Sequence, residues 1–220
     1  MNDVGAAIKE VRSRIAGAAR RSGREPDAVR LVAATKTVPA ERVAEAVALG
    51  VTDVGENRAQ ELLAKAASLG GTAPSTPAEV CWHFLGRLQR NKVRGLAGRV
   101  TWWQSVDREV LGVAIARHAP GAQVLVEVNL ADEPQKGGCA PADAGRLADA
   151  LRESGLRVEG LMTIPPEGDD PRPWFAALRE LGGELGVRHL SMGMTDDYEI
   201  AVEEGATMVR IGRAIFGARG

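Results

Sequence analysis

The chain has 220 residues, 45% apolar and 26% charged, the composition of an ordinary globular protein with enough sequence for one sizeable core. A formal net charge of -1 offers no global field to nucleic acid or an anionic membrane, and no apolar run is long enough to span a bilayer. The opening MNDVGAAIKEVRSRIAG mixes charge into an amphipathic pattern and lacks the basic start and continuous apolar stretch of a signal peptide. A cytoplasmic protein is therefore expected, with Cys81 and Cys139 as reduced thiols and no metal-ligand spacing around them.

Val4, Ile8, Val11, Ile15 and Ala18 fall on one face and predict an N-terminal helix, capped by Asn2 or Asp3 and ending on Arg20 and Arg21 at the negative end of its dipole. Short apolar runs rich in β-branched residues then follow at 31–35, 51–54, 80–85, 100–103, 123–128, 156–162, 188–190 and 207–211. Helical stretches lie between them, among them 40–49, 57–68, 107–118, 141–153 and 173–185. Strands alternating with helices imply a parallel sheet, and eight strands is the number that closes a single (β/α)8 TIM barrel, here with an extra N-terminal helix. An open doubly wound sheet is the alternative, weakened because no Gly-x-Gly-x-x-Gly follows the first strand. The segments 70–77 and 165–173 read as surface loops, so the whole chain, 1–220, is expected to be one domain.

Functional groups of such barrels stand at the C-terminal ends of the strands. The first strand ends on Lys36, where a desolvated amine could form a Schiff base; a surface lysine opening a loop is the plain alternative, and Pro39 sets the start of the next helix. Glu56 and Asn57 follow the second strand, with Asn57 equally suited to cap a helix. His83, at the third, is the one histidine expected at a strand end facing the mouth, although a lone histidine is more often a hydrogen-bonded core residue. After strands seven and eight stand Ser191-Met192-Gly193-Met194-Thr195 and Arg210-Ile211-Gly212-Arg213. Barrels often hold phosphate there, with glycines admitting backbone N–H groups and Ser191 or Thr195 offering a hydroxyl. Asp196 and Glu199 have capping-box spacing, and Asp196 and Asp197 are expected to point away from a dianion. A Schiff-base lysine beside a phosphate site suits an aldolase-type sugar phosphate or pyridoxal 5′-phosphate (PLP); a lysine on strand one favours PLP.

Six further stretches join Thr35-Lys36-Thr37-Val38-Pro39 as motifs. They are Gly55-Glu56-Asn57, the run from His83-Phe84-Leu85-Gly86-Arg87 through Lys92, NLADEPQKG from Asn129, Gly160-Leu161-Met162, Leu190 through Met194, and Val209 through Gly217. Together they make the chain resemble the YggS/PROSC family of PLP-binding proteins, also called the PLP homeostasis family, over nearly its whole length. The resemblance implies a fold type III PLP-binding barrel like the N-terminal domain of alanine racemase. It implies PLP held as a Schiff base on Lys36, Arg210 facing the pyridine nitrogen, and Ser191, Gly193, Met194, Gly212 and Arg213 around the phosphate. Asn57 would meet the ring oxygen, Met162 would line the ring face, and His83 would lie just behind. It also implies intracellular PLP (vitamin B6) homeostasis without substantial amino-acid turnover, PLP-dependent apoenzymes as candidate recipients, and a monomer in preference to a dimer. A PLP-dependent amino-acid racemase or lyase is the alternative. Racemases of this fold add a second domain that supplies a tyrosine base, whereas Tyr198 has core-facing spacing with Ala201 and Val202 and the chain stops after strand eight.

Overall fold

The computed structural model describes residues 3–70 and 80–217. All eight expected strands form: β1 (Arg30–Ala34), β2 (Asp53–Glu56), β3 (Cys81–Phe84), β4 (Val100–Val106), β5 (Gln123–Glu127), β6 (Arg157–Met162), β7 (His189–Ser191) and β8 (Met208–Ile211). They pair in parallel and in chain order, and β8 returns to β1, so the sheet is a closed barrel and not the doubly wound alternative. β4 outruns its apolar stretch because Gln104 and Ser105, though polar, are buried and carry the strand on to Val106.

Side chains of a barrel strand alternate between inside and outside. Ala33, Val54, Phe84, Trp103, Val124, Val126, Leu161, Leu190, Val209 and Ile211 face outward and join the main core beneath the helices. Val32, Trp102, Leu125, Met162 and Met208 face inward and pack as a separate cluster within the barrel. Branched aliphatic side chains usually fill such an interior. Here His83, Gln104, Ser191 and Arg210, each at most 5% exposed, share it.

The helices are α1 (Val4–Arg21), α2 (Ala40–Ala48), α3 (Ala59–Gly70), α4 (Val93–Leu96), α5 (Glu109–His118), α6 (Ala144–Glu153), α7 (Arg172–Glu184), α8 (Tyr198–Glu203) and α9 (Arg213–Phe216). Asp3 caps α1 by accepting the Ala6 N–H at 3.0 Å; Asn2, like the loop expected beyond Gly70, lies outside the described residues. The expected apolar face of α1 is buried, and the helix lies against α8, α9 and α2. Arg14 and Arg21 bind Glu199 and Glu203 on α8, and the Arg14 guanidinium stands 5.5 Å over the ring of Tyr198, which is buried as its spacing implied. Cys81 and Cys139 are free thiols. Among the described residues no helix is long and apolar enough to cross a membrane.

Gly160 lets β6 and β7 approach: a Cβ there would stand 2.0 Å from the His189 carbonyl oxygen. Gly160→Ala is expected to destabilise the fold by roughly 1–3 kcal/mol through overpacking. Urea unfolding followed by circular dichroism measures this; an unchanged midpoint would mean that the two strands are not held this tightly.

Candidate cofactor site

Lys36 leaves β1 two residues past its end and is exposed, while Thr35 before it is fully buried. The turn that presents it is tightly held. Thr37 has φ 64°, a left-handed conformation that costs a threonine about 1–3 kcal/mol and persists only where its surroundings enforce it. Its N–H donates to Glu61 Oε2 at 3.0 Å, and the Val38 N–H closes the turn onto the Thr35 carbonyl at 2.9 Å. That carbonyl also accepts from Lys65 Nζ at 2.7 Å, and Lys65 is ion-paired to the fully buried Glu56. Because β1 pairs with β8 as far as Ala33 and Ile211, Lys36 emerges beside Gly212.

Arg210, on β8, is 5% exposed and donates from Nη1 to Ser191 Oγ at 2.8 Å and from Nη2 to the Thr163 carbonyl at 2.9 Å. Ser191 Oγ is 2.6 Å from Gln104 Oε1, Gln104 Nε2 is 2.7 Å from His83 Nδ1, and His83 Nε2 is 2.9 Å from Asp53 Oδ1. Asp53 is further bound by Arg30 at 2.8 Å. His83 therefore does not face the mouth. It is fully buried inside the barrel, stacked 6.0 Å from Trp102, and reaches Arg210 only through Gln104 and Ser191. Burial lowers the His83 pKa despite the bond to Asp53, which favours the neutral ring. Burial also pushes the Asp53 carboxyl up, but hydrogen bonds from His83 and Arg30 outweigh it and hold the group well below the usual carboxylate range. Arg210 is lowered by burial to about 10, against the pull of Asp197 and Glu127, and remains a cation at neutral pH. The Cys81 thiol lies within 4.8 Å of His83 and Asp53, but Arg30 already supplies the cation at Asp53.

The loops after β7 and β8 are shaped by two glycines. Gly193 has φ 91°, and a Cβ there would lie 2.5 Å from Ala201 Cβ; a Cβ on Gly212 would lie 2.8 Å from the Ala34 carbonyl oxygen. Gly193 also accepts the Arg210 N–H at 2.9 Å, tying the two loops together. The acidic pair divides. Asp196 turns outward to pair with Arg213, as expected, but Asp197 turns back and accepts the Met194 N–H at 2.5 Å. The capping box does not form: α8 starts after Asp197, and Glu199 binds Arg14. Met162 is fully buried within the barrel, Met194 is 37% exposed, and Asn57 is half-buried ahead of α3 against Gly86.

The model of the alanine racemase N-terminal domain matches residues 8–220. Over its full length the chain is 43% identical to a pyridoxal phosphate homeostasis protein of Pseudomonas aeruginosa, 97% of which is covered. It is 42% identical to one of Aquifex aeolicus, over 96% of both chains. The chain belongs to the pyridoxal phosphate homeostasis protein family. Among solved structures it superposes on PipY of Synechococcus elongatus with PLP bound at a TM-score of 0.85, with 31% identity over 98% of this chain and all of that one.

Several buried side chains of this family barrel escape a reading of strand ends. Gln104 is hidden because the apolar run of β4 stops at Trp103, and Lys65 has the look of a surface helix lysine. Glu127 closes an otherwise apolar strand and is the clearest missed signal. It is 8% exposed, and its Oε2 is buried without a hydrogen-bond partner. Burial and the nearby charge of Asp107 push this carboxyl up to about 7, against Arg210, Arg87 and Arg108.

A carboxyl raised in this way binds its proton more tightly folded than unfolded. Its contribution is therefore favourable in acid and is lost as pH climbs from the ordinary glutamate value through about 7. Glu127→Gln is expected to stabilise the cofactor-free protein at pH 8, by about 3 kcal/mol at most, and to change it little at pH 5. Urea midpoints at the two pH values test this; equal shifts at both would refute the assignment.

Proposed function

We propose that this barrel mouth binds PLP, covalently through Lys36, and that the protein serves intracellular PLP homeostasis without substantial turnover of amino acids. The observation that carries the reading is the juxtaposition made by barrel closure: Lys36 at the end of β1 stands beside the glycine loop and the buried cation of β8. The residues fit the cofactor. Gly193 and Gly212 leave no room for side chains at the points where backbone N–H groups would meet a phosphate, and Lys36 is exposed on a held turn. Relatives named for PLP homeostasis, and PipY with PLP bound, support the same ligand.

PLP, when bound, supplies an aldehyde and an electron-accepting ring. The chain's own residues do the rest. Lys36 offers the amine that links to the aldehyde. Gly193, Met194, Gly212 and the Arg213 backbone take the phosphate, with Asp197 yielding the Met194 N–H. Asn57 meets the ring oxygen, and Met162 closes the site from within the barrel. Arg210 faces the ring nitrogen, and its charge disfavours protonation there, which suits holding PLP over stabilising carbanions. Ser191 contributes through Arg210. Transfer to PLP-dependent apoenzymes, a cytoplasmic location and a monomeric state complete the reading. Mass spectrometry after borohydride reduction is expected to find the PLP adduct on Lys36, and Lys36→Ala to be colourless. An adduct mainly on Lys65 or Lys136 would overturn the assignment.

One observation favours a second reading, an amino-acid racemase or lyase. Tyr198 is buried under α1 and His83 is enclosed in the barrel, but Glu127 places a carboxyl of pKa about 7 near Arg210, a suitable value for a general base. A chiral assay over the proteinogenic amino acids separates the readings. The homeostasis reading expects rates far below the usual enzymatic range of about 1–10³ per second. An ordinary kcat that is lost in both Lys36→Ala and Glu127→Gln would establish the enzyme.

A further inference from the structure

The side chains between Arg210 and Asp53 form a continuous line through the barrel, with every member at most 7% exposed. The direction of each hydrogen bond in it can be deduced. Asp53 is an anion and can only accept, so His83 Nε2 carries a hydrogen and donates it. A neutral imidazole then has Nδ1 as an acceptor, and Gln104 Nε2 donates to it at 2.7 Å. The orientation of the Gln104 amide agrees independently. Its Nε2 also lies 3.7 Å from Met208 Sδ, a weak acceptor, so both amide hydrogens have partners. Gln104 Oε1 therefore faces Ser191 and accepts its only hydroxyl hydrogen at 2.6 Å. Ser191 Oγ is left as an acceptor for Arg210 Nη1 at 2.8 Å.

We propose that Gln104 and His83 are positioning residues for the cofactor site, and that with Ser191 they form a one-way hydrogen-bond chain from the cation of Arg210 to the carboxylate of Asp53. This rests on the reading of the mouth as a PLP site. All four bonds donate toward Asp53, so each polarises the next in the same sense. The chain has two consequences. The guanidinium is oriented before any ligand arrives. The Ser191 hydrogen is committed to Gln104, so a hydroxyl donor to phosphate in this loop must be Thr195. A metal-site reading of Asp53, Cys81 and His83 would require His83 Nε2 without its hydrogen, and the Arg30 guanidinium at Asp53 opposes it.

The test has two parts. In the cofactor-free wild type, long-range ¹H–¹⁵N correlation NMR of labelled histidine is expected to find His83 as the neutral tautomer with hydrogen on Nε2. A hydrogen on Nδ1, or a doubly protonated ring, at neutral pH would overturn the chain. In Gln104→Leu, which keeps the bulk and cuts the chain, PLP is expected to bind about tenfold more weakly with a shifted absorption maximum. Wild-type affinity and an unshifted maximum would overturn the positioning role. If the wild type takes up no PLP at all, the functional reading and the positioning role fall together, while the tautomer measurement still decides the chain.

Discussion

Arg210 is the constraint around which the barrel interior is organised. A guanidinium with almost no access to water is costly, with an effective penalty of several kcal/mol unless its donors and its charge are answered. Thr163 and Ser191 answer two donors directly, and Asp197 and Glu127 oppose the charge from the mouth. From Ser191 the hydrogen-bonded line continues through Gln104 and His83 to Asp53, whose charge Arg30 answers. This accounts for an interior poor in branched aliphatics. Trp102, Leu125 and Met208 fill the space around the polar line and keep water from competing with it.

The same logic of over-determination applies at Lys36. Lys36 is exposed past the end of β1, on a backbone that a second, buried lysine holds in place. Lys65 takes the buried position, satisfied by Glu56 and the Thr35 carbonyl, and thereby fixes the backbone from which Lys36 projects. The strain of Thr37 is held by Glu61 from the same helix as Lys65. A turn held in this way requires little further ordering of the chain when a ligand binds beside it.

The fold was largely legible in the residues. Eight β-branched runs between helical stretches specify the barrel, and Lys36, Gly193 and Gly212 stand where strand-end chemistry directs attention. What could not be read is strand parity. A continuous apolar run such as that around His83 does not say which residues turn inward, so it leaves this histidine open between the rim and the hydrogen-bonded core position that the barrel gives it. Gln104 is missed for the opposite reason: a polar residue reads as the end of a strand when it is one of the barrel's interior layers. Asp196 and Asp197 are adjacent and chemically alike, and nothing in the residue types says that one pairs with Arg213 outside while the other bonds the Met194 N–H.

The N-terminal helix then acquires a role beyond covering the barrel. α1 lies against α8 and α9, which begin directly after the loops of Gly193 and Gly212. α8 has six residues and α9 four, too short to be stable alone, so their positions depend on packing. The buried face of α1 packs against them, and Arg14 and Arg21 add ion pairs to α8 that are individually weak on an exposed surface. The backbone amides of the two glycine loops are thus held at one end by the Arg210 N–H bond to Gly193 and at the other by α1. The proposed phosphate site of main-chain groups, beside helices too short to stand by themselves, is served by such a brace.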